Sequence, residues 1–433
     1  MTKRIRMTAR AVAVLATAGL AIGLGGCASG SADGVTTLNF FQFKGEALED
    51  FNQMIADFEA ENPDIRVVQN QVADADTLIR TLLVKDRIPD IVTLNANGNF
   101  GGLAKAGVFH DFSDEPVLET INPAVQEILA DLGTYGDEVN GLGYVNNANG
   151  VIYNATIFEE QGLEVPETWD EFIAVCDALQ AAGITPFYGT LADSWTGMPS
   201  WNALGAYPAQ DDFFDKLRAQ GTDVGPDSEV SFEKNFAEMM DQQYTLFSSY
   251  MQEGYRGETY DEGNAAFANG DVAMLLQGIW ATNPIKQVNP DIEMGIFPYP
   301  GTDDPEDRLL VSGVDVVFTM GKNSPNEDAA MRFIDYAFQT DVIEGFAASQ
   351  NMVPSVEGAE ISDDPALQAV KPFFDEGKIT GFIDHQFPPA VPLIPIDQEF
   401  LFNGDAEAAL KSLDNEWRKV AARTIPVTTG DDQ

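Results

Sequence analysis

The stretch LNFFQF at residues 38–43 is an apolar run typical of a buried β-strand, and the pattern that decides the fold continues from it. An amphipathic helix follows, and Asn62-Pro63 ends it because proline disfavours helical geometry in the residue before it. The apolar stripe of this helix consists of Leu48, Phe51, Met54, Ile55 and Phe58. The next strand, helix and strand are predicted over residues 65–72, 77–84 and 89–94. This alternation predicts a parallel α/β sheet.

A second alternation of strands and helices starts near residues 151–153. Thr168 and Glu171 have the spacing of a capping box, in which both side chains satisfy free amides at a helix start, and Gly183 suits the end of that helix. Further strands are predicted over residues 185–188, 272–276, 294–297 and 314–319, and further helices over 230–255 and the last third of the chain. The 433 residues are enough for two or three domains.

The N-terminus has the layout of a secretory signal. Basic residues between Lys3 and Arg10 precede an apolar core over residues 11–24, which is shorter than the ~20 residues needed to cross a bilayer. The following Leu-Gly-Gly-Cys27 resembles the lipobox of bacterial lipoproteins, in which the cysteine is diacylated and becomes the first mature residue. We therefore expect a signal peptide over 1–26, lipidation at Cys27 and a flexible tether over 27–35. The alternative is an ordinary signal peptide in which Cys27 has no special role.

Composition narrows the classes of partner. The formal net charge of −45 at pH 7 argues against nucleic acid and anionic lipid surfaces, although it leaves open a cationic ligand such as a polyamine. Lipidation of Cys27 would leave Cys176 without a disulfide partner. With only two histidines in the chain, we expect no multi-histidine metal site and no cofactor. No apolar run of about 18 residues follows the signal, so we expect membrane contact only through the N-terminal lipid.

Five short motifs lie in order along the mature chain. They are Pro89-Asp90-Ile91; Val151-Ile152-Tyr153-Asn154 with PETWDEF at 166–172; FANGDVAM at 267–274 leading to Gly278-Ile279-Trp280; FPYPG at 297–301; and Ser312-Gly313-Val314-Asp315. In this order they resemble the extracellular solute-binding proteins of ABC sugar importers, in the lipoprotein class that includes the maltose-binding type. The resemblance spans nearly the whole mature chain.

The resemblance implies a two-lobed α/β fold of the periplasmic-binding-protein type, with a hinge between the lobes. Lobe 1 would take residues 36–148 and 303–350, and lobe 2 would take 149–302 and 351–433. Ligand would bind in the cleft and be buried by closure about the hinge. The closed form would then dock on the transmembrane subunits of an ABC permease. Members of this family bind a ligand and catalyse no reaction. We expect this chain to be a monomer at the outer face of the cell membrane.

A sugar presents an apolar face of C–H groups and a rim of hydroxyls, so its site needs flat aromatic rings and polar side chains. Trp280 matches the G-x-W turn of the family and is the strongest aromatic candidate. Trp195 and Trp201 flank a Gly/Pro/Ser-rich loop that resembles the family's ligand loop in lobe 2. For each tryptophan the alternative is a packing role in the core.

Polar candidates lie at the starts and ends of predicted strands. The family commonly places a cleft carboxylate at the position of Asp315, for which the alternative is a hinge or turn role. Asn95 and Asn97 end the strand over 89–94, where ligands of open α/β sheets usually bind. Gln42 and Lys44 leave the first strand at the same edge of the sheet.

The most specific cluster is Phe382-Ile383-Asp384-His385. Adjacent Asp384 and His385 can form hydrogen bonds with two vicinal hydroxyls of a sugar while the Phe382 ring stacks on its apolar face. A similar arrangement occurs in family members that take α-1,6-linked galactosides such as raffinose and melibiose. The alternative is a surface loop with an incidental ion pair.

Two other functions are compatible with parts of this sequence. A secreted glycosidase would need two facing carboxylates, and 69 acidic residues offer many chance pairs. No nucleophile elbow, His-rich metal signature or phosphate loop is present, however. The same fold could take a non-sugar cargo such as a polyamine or an iron complex. The mixture of aromatic and amide side chains favours an oligosaccharide. The resemblance of the Phe382–His385 cluster to galactoside-binding family members implies an α-galactoside as the first choice of cargo, with an α-glucoside as the second.

Overall fold

The computed structural model describes residues 35–72, 78–79, 81–82, 88–388 and 390–422. The predicted signal peptide, Cys27, nearly all of the predicted tether and half of the helix predicted over 77–84 lie outside these ranges. The described strands are β1 Thr36–Gln42, β2 Ile65–Gln71, β3 Ile91–Leu94, β4 Leu142–Asn146, β5 Asn149–Asn154, β6 Thr185–Phe187, β7 Val272–Gly278, β8 Met294–Phe297, β9 Leu310–Val311, β10 Val314–Thr319, β11 Val353–Pro354 and β12 Ile379–Thr380.

The described α-helices are α1 Leu48–Glu61, α2 Gly98–Lys105, α3 Pro123–Leu132, α4 Ala155–Gln161, α5 Trp169–Ala181, α6 Met198–Gly205, α7 Phe213–Gln220, α8 Phe232–Asn235, α9 Ala237–Ser249, α10 Tyr260–Ala268, α11 Thr282–Val288, α12 Glu327–Ala337, α13 Thr340–Gln350, α14 Pro365–Asp375, α15 Leu393–Asn403 and α16 Ala406–Ala421. Short 3-10 turns used below are Ser194–Gly197, Ile279–Ala281 and Ile383–Gln386.

The first lobe is the set of elements packed around a six-stranded sheet with the order β11-β4-β10-β3-β1-β2. β1 pairs in parallel with β2 and β3, which confirms the pairing predicted from the strand–helix alternation. β10 pairs antiparallel with β3 and β4, and β11 pairs antiparallel with β4. The sheet is mixed because strands that return from later in the chain enter it in the opposite direction.

Phenylalanine dominates the core of the first lobe. The ring centroid of Phe40 on β1 lies 5.1 Å from that of Phe51 on α1 and 5.6 Å from that of Phe333 on α12. Tyr144 on β4 packs edge-on against Phe318 on β10 at 4.8 Å. All five side chains are fully buried, so the helices are held to the sheet by aromatic contacts of favourable geometry. The buried aromatic residues of this core are Phe and Tyr.

The second lobe is the set of elements packed around a four-stranded sheet with the order β6-β7-β5-β8. β5 pairs antiparallel with β7 and β8, whereas β6 pairs in parallel with β7. β7 is buried along its whole length, and its apolar side chains divide between two apolar clusters. One of these clusters contains Trp201 and Trp417, so tryptophan contributes to this core.

Two short segments carry the chain between the sheets. Residues 147–148 join β4 to β5, and residues 312–313 join β9 to β10; we call these the crossing segments. β9 pairs with β12, and Leu310 and Val311 pack with the clusters of the second lobe. The crossing segments therefore stand where a hinge between the lobes is expected, while the lobe boundaries given above stay a prediction.

Local signals set several helix ends. α1 ends at Glu61, directly before Asn62-Pro63, and Gly183 follows α5 with a φ of +78°. The helix predicted over 230–255 is instead two helices, α8 and α9, which are separated by non-helical backbone at Phe236.

Cys176 is buried on α5, and burial raises the pKa of its thiol. No helix within the described ranges is both long and apolar enough to cross a membrane.

Candidate ligand-binding site

Three predicted residues meet where strands of the first sheet end. Lys44 Nζ, just beyond β1, lies 2.8 Å from Asp315 Oδ2 on β10. Asn95, directly after β3, donates from Nδ2 to the main-chain oxygen of Asp315 at 3.3 Å. The side chains of Lys44 and Asp315 are 6% and 14% exposed, so their attraction is only weakly screened by water. This arrangement fixes a carboxylate at the edge of the sheet.

Gln42 and Asn97 are held in place close to this edge. Gln42 is fully buried and donates from Nε2 to Gln69 Oε1 at 2.8 Å. Its own Oε1 is buried without a hydrogen-bond partner among the described residues. Asn97 caps α2, since its Oδ1 accepts from the backbone N–H groups of Asn99 and Phe100. The cap orients Asn97 and leaves its amide nitrogen as the group that could contact a ligand.

Trp280 lies in the turn after β7, and its ring rests on the backbone at Gly278. A Cβ at Gly278 would lie 2.2 Å from Trp280 Cζ3 and 2.5 Å from the Ala148 carbonyl oxygen, so no other residue fits there. Trp280 donates its indole N–H to Gln277 Oε1 at 3.0 Å. The G-x-W turn therefore holds a partly exposed indole in one orientation.

The turn over Ile383–Gln386 brings the predicted Phe-Asp-His cluster to the same place. The Phe382 ring centroid lies 6.3 Å from that of Trp280 and 5.4 Å from that of His385. Asp384 donates its backbone N–H to Asn202 Oδ1 at 2.9 Å, which anchors the turn. Asp384 Oδ1 lies 3.9 Å from His385 Nε2, is buried, and accepts no hydrogen bond from the described residues.

Two glycines join these groups into one cluster. A Cβ at Gly313 would lie 2.7 Å from Phe382 Cδ2, so Phe382 rests on a crossing segment two residues from Asp315. A Cβ at Gly98, next to Asn97, would lie 3.3 Å from the His385 carbonyl oxygen, so the start of α2 lies against the turn of the second lobe. We call the resulting set the cleft cluster. It comprises Lys44, Asn95, Asn97, Asp315, Trp280, Phe382, Asp384 and His385.

The other two predicted tryptophans lie apart from these contacts. Trp195 is 39% exposed, and its ring packs against Tyr260 at a centroid distance of 5.1 Å. Contrary to the expectation of a ring on the site surface, Trp201 is 1% exposed. It packs in the second-lobe core against Phe236 and Phe387, at 5.4 and 6.1 Å. Trp201 sits on α6 among buried neighbours, because the Gly/Pro/Ser-rich stretch predicted as a loop is instead the 3-10 turn Ser194–Gly197 followed by the start of α6.

Sequence reasoning missed the residues that support the cleft cluster. They are Asn147, Asn202, Gln277, Gly278 and Gly313. Gln277, Gly278 and Gly313 lie inside motifs already recognised, and the lack of a side chain at the two glycines was the available signal. Asn147 and Asn202 act on residues more than 160 positions away, so no local pattern indicates them.

The cluster offers hydrogen-bond acceptors, donors and two aromatic faces. Within the part of the chain that the structure describes, no group of three or more His, Cys, Asp or Glu residues is placed to hold a metal ion. The chemistry available is therefore recognition of a polar molecule that also has an apolar face.

Comparison with known proteins adds a family and a fold. The family described as bacterial extracellular solute-binding protein matches residues 53–369. The multiple sugar-binding protein of Streptococcus mutans is 27% identical over 345 residues, which cover 79% of this chain and 80% of that protein. The melibiose/raffinose/stachyose-binding protein MelE of Bacillus subtilis is 21% identical over 298 residues, 66% of each chain.

Solved structures share the two-lobed architecture. The apo form of RafE from Streptococcus pneumoniae superposes with a TM-score of 0.80 at 23% identity, covering 90% of this chain and 98% of that one. RafE in complex with raffinose superposes with a TM-score of 0.75 at 23% identity, covering 89% and 100%. At these identities the likeness establishes the fold, which is the two-lobed α/β fold predicted from the sequence.

Proposed function

This chain belongs to the bacterial extracellular solute-binding proteins, and on that premise we propose that it captures an oligosaccharide in the cleft cluster for import through an ABC permease. It acts as a binding subunit and not as an enzyme. ATP hydrolysis and translocation would be carried out by other subunits of the importer.

The orphaned Oδ1 of Asp384 is the observation that carries this proposal. A buried carboxylate oxygen without a donor is costly, and a ligand hydroxyl would supply the missing hydrogen bond. The imidazole Nε2 of His385 lies 3.9 Å from this oxygen, the His385 ring lies 5.4 Å from the Phe382 ring, and the Trp280 ring lies 6.3 Å from Phe382. An acceptor flanked by flat apolar surfaces matches a pyranose, which has hydroxyls on its rim and C–H groups on its faces.

The proposed cargo is an α-1,6-linked galactoside such as raffinose or melibiose, with α-glucosides next. Asp384 and His385 lie side by side next to a stacking ring, which suits a pair of vicinal hydroxyls. The similarity to RafE, solved in complex with raffinose, and to MelE, described as binding melibiose, raffinose and stachyose, supports this choice. The multiple sugar-binding relative supports a sugar of some kind.

The proposed setting is the outer face of the cell membrane. Lipidation of Cys27 would hold the chain there, and the tether would let the lobes reach the transmembrane subunits of the permease. We expect the protein to act as a monomer, since one chain contains all members of the cleft cluster.

Isothermal titration of residues 28–433 with raffinose, melibiose, maltose, xylobiose and spermidine tests the proposal. Heat with raffinose or melibiose supports the galactoside assignment. Binding of maltose or xylobiose alone keeps the sugar importer and removes the galactoside. Phe382→Ala should weaken sugar binding by ~1–3 kcal/mol, whereas Phe402→Ala, which removes a partly buried ring beside Arg256 of the second lobe, should leave it unchanged.

A polyamine is the second candidate cargo, and the net charge of −45 is the observation that favours it. Asp315 and Asp384 could meet its ammonium groups, and the rings of Trp280 and Phe382 could contact cations. Heat released with spermidine alone would establish this alternative and overturn the sugar assignment.

A further inference from the structure

The two crossing segments are tied directly to each other. Asn147 donates its backbone N–H to the Gly313 carbonyl oxygen at 3.0 Å, and its side-chain Oδ1 accepts from the Gly313 N–H at 2.9 Å. Ser312 donates its hydroxyl to the Asn147 carbonyl oxygen at 2.8 Å. Three polar groups of Asn147 thus contact the neighbouring crossing segment. The bond to Gly313 N–H is the one that depends on the Asn147 side chain as an acceptor.

Both crossing segments continue into the cleft cluster. Ile279, in the turn of Trp280, donates its N–H to the Ala148 carbonyl oxygen at 2.9 Å. Ala96, between Asn95 and Asn97, donates its N–H to the Val314 carbonyl oxygen at 3.1 Å. The relative position of the two segments therefore sets the relative position of the Trp280 turn and the Asn95 loop.

Gly313 also supports the Phe382 ring of the cleft cluster, which packs against its backbone. An added Cβ would lie 2.7 Å from Phe382 Cδ2 and 3.3 Å from Asn147 Oδ1. The Phe382 ring, the Gly313 backbone and the Asn147 amide thus form one continuous packed stack. A shift of Gly313 relative to Asn147 would move the surface on which Phe382 rests.

We propose that Asn147 is a positioning residue that couples ligand stacking on Phe382 to the relative setting of the two crossing segments, through Gly313. This inference rests on the proposed function and states how ligand contact at the same site is coupled to the position of the hinge. Residues at the ends of structural elements commonly absorb the backbone change of a domain closure. A ligand that favours one setting of Phe382 would then favour one setting of the lobes.

Matched variants separate positioning from general stability. Asn147→Ala removes the acceptor of the Gly313 N–H, and Asn147→Asp keeps one. Asn154→Ala is the matched control, because Asn154 is a buried asparagine whose side chain also accepts one backbone N–H, that of Ile157, at the other end of β5. Each variant is made in the full chain with Cys27→Ser and titrated with raffinose, melibiose and maltose.

Asn147→Ala should weaken binding of the accepted sugar at least about tenfold, while Asn147→Asp and Asn154→Ala stay within about threefold of the parent protein. Equal binding by Asn147→Ala and the parent, or an equal loss in Asn154→Ala, would overturn the proposal. If Asn147→Ala does not fold, Gly313→Ala and Phe382→Ala supply a double-mutant cycle. Losses that are not additive support action through Phe382, and additive losses contradict it.

A measurement without ligand keeps the inference separate from the proposed function. Fluorophores are attached at E119C in the first lobe and D227C in the second, both exposed positions, while Cys176 stays buried. Single-molecule energy transfer should show a broader inter-lobe distance distribution in Asn147→Ala than in Asn154→Ala. Identical distributions would overturn the inference. Failure of the parent protein to bind any of the sugars would overturn the proposed function, and the distance distributions would still decide the role of Asn147.

Discussion

At the scale of single residues, Trp280 shows how a glycine makes a binding surface. Its indole lies over Gly278 and donates to Gln277, so the ring does not have to be ordered when a ligand arrives. Trp280→Ala should therefore weaken sugar binding by ~1–3 kcal/mol in isothermal titration, the scale of one stacked ring. Trp169→Ala is the control, because Trp169 is a partly buried tryptophan that packs on Phe172 in the same lobe. Equal losses in the two variants would remove Trp280 from the site.

Asp397 makes stability depend on pH. It is fully buried on α15, where its Oδ2 accepts from Gln243 Nε2 at 3.5 Å, and burial raises its pKa to about 8. The folded state then holds a proton that the unfolded state releases above about pH 4, so stability falls as pH rises from there to about 8. This carboxyl alone would lower the free energy of unfolding by up to ~1.4 kcal/mol per pH unit.

Asp397→Asn should remove this dependence and gain stability relative to the parent protein as pH rises. Urea unfolding at pH 5 and pH 8 measures the difference between variant and parent at each pH. Asp241→Asn, at an exposed position on α9, is the matched control. A difference between Asp397→Asn and the parent that is the same at both pH values would contradict the assignment.

At the scale of elements, two helices of the second lobe begin with related but unequal caps. Thr259 and Glu262 form a complete capping box at α10, in which Glu262 Oε2 accepts from the Thr259 N–H and hydroxyl at 2.8 Å each. At α5, Thr168 Oγ1 accepts from the Glu171 N–H at 3.3 Å, but Glu171 Oε2 accepts from the Glu167 N–H. The box predicted from the sequence at Thr168 is therefore half formed.

Thr259→Ala should cost about 1 kcal/mol of stability, since it removes the cap of α10 and one hydrogen bond to Glu262. Thr168→Ala should cost less, because the Thr168 hydroxyl accepts the cap hydrogen bond from the Glu171 N–H, whereas the Thr259 hydroxyl also donates to the Glu262 carboxylate. Chemical denaturation of the two variants side by side measures the ranking. A larger loss in Thr168→Ala would show that the geometry of the caps does not set their energies.

Local sequence patterns predict the strands and helices better than they predict which strands pair with each other. The parallel pairing of β1 with β2 and β3 follows from short strand–helix–strand connections, in which the hydrophobic period is visible. The insertion of β10 between β3 and β4 joins segments more than 160 residues apart, and nothing in the composition of Val314–Thr319 specifies it. Sheet membership of that kind depends on the packing of the whole lobe.

The candidate site shows the same division. Trp280, Asp315 and the Phe382–His385 turn are predicted for the site because each lies in a recognisable short motif, and the structure brings them close together. The prediction of Trp201 for the same surface rests on the resemblance of its neighbouring stretch to a ligand loop, yet that stretch is helical and the ring is buried in the core. Exposure of a single aromatic side chain depends on contacts across the lobe, which the sequence around it does not record.

At the scale of the whole molecule, acidic groups of the two lobes face each other near the cleft cluster. Asp131 on α3 of the first lobe and Asp211, Asp212 and Asp215 near α7 of the second lobe line a cavity of about 240 Å³ together with Arg218. Partial loss of solvent raises the pKa of Asp131, and the negative charge of Asp215 raises it further, whereas Arg218 opposes the shift. Bringing the lobes together at this point therefore favours the protonated form of Asp131.

Ligand binding that closes the lobes should accordingly be accompanied by proton uptake and strengthen as pH falls. The effect should be modest, since Asp131 keeps contact with water. Titration of the accepted sugar in two buffers of different ionisation enthalpy measures the protons taken up, and Asp131→Asn should reduce that number. Equal uptake by Asp131→Asn and the parent protein would assign the protons to other groups.

The uneven placement of tryptophan means that the intrinsic tryptophan fluorescence of the molecule comes from one lobe. Trp169, Trp195, Trp201, Trp280 and Trp417 all belong to elements of the second lobe, while the aromatic core of the first lobe is Phe and Tyr. Intrinsic tryptophan emission will therefore report the unfolding of the second lobe and not that of the first. Set against circular dichroism, which sees the helices of both, it would reveal whether the lobes unfold as one cooperative unit or in succession, without any dye or added label.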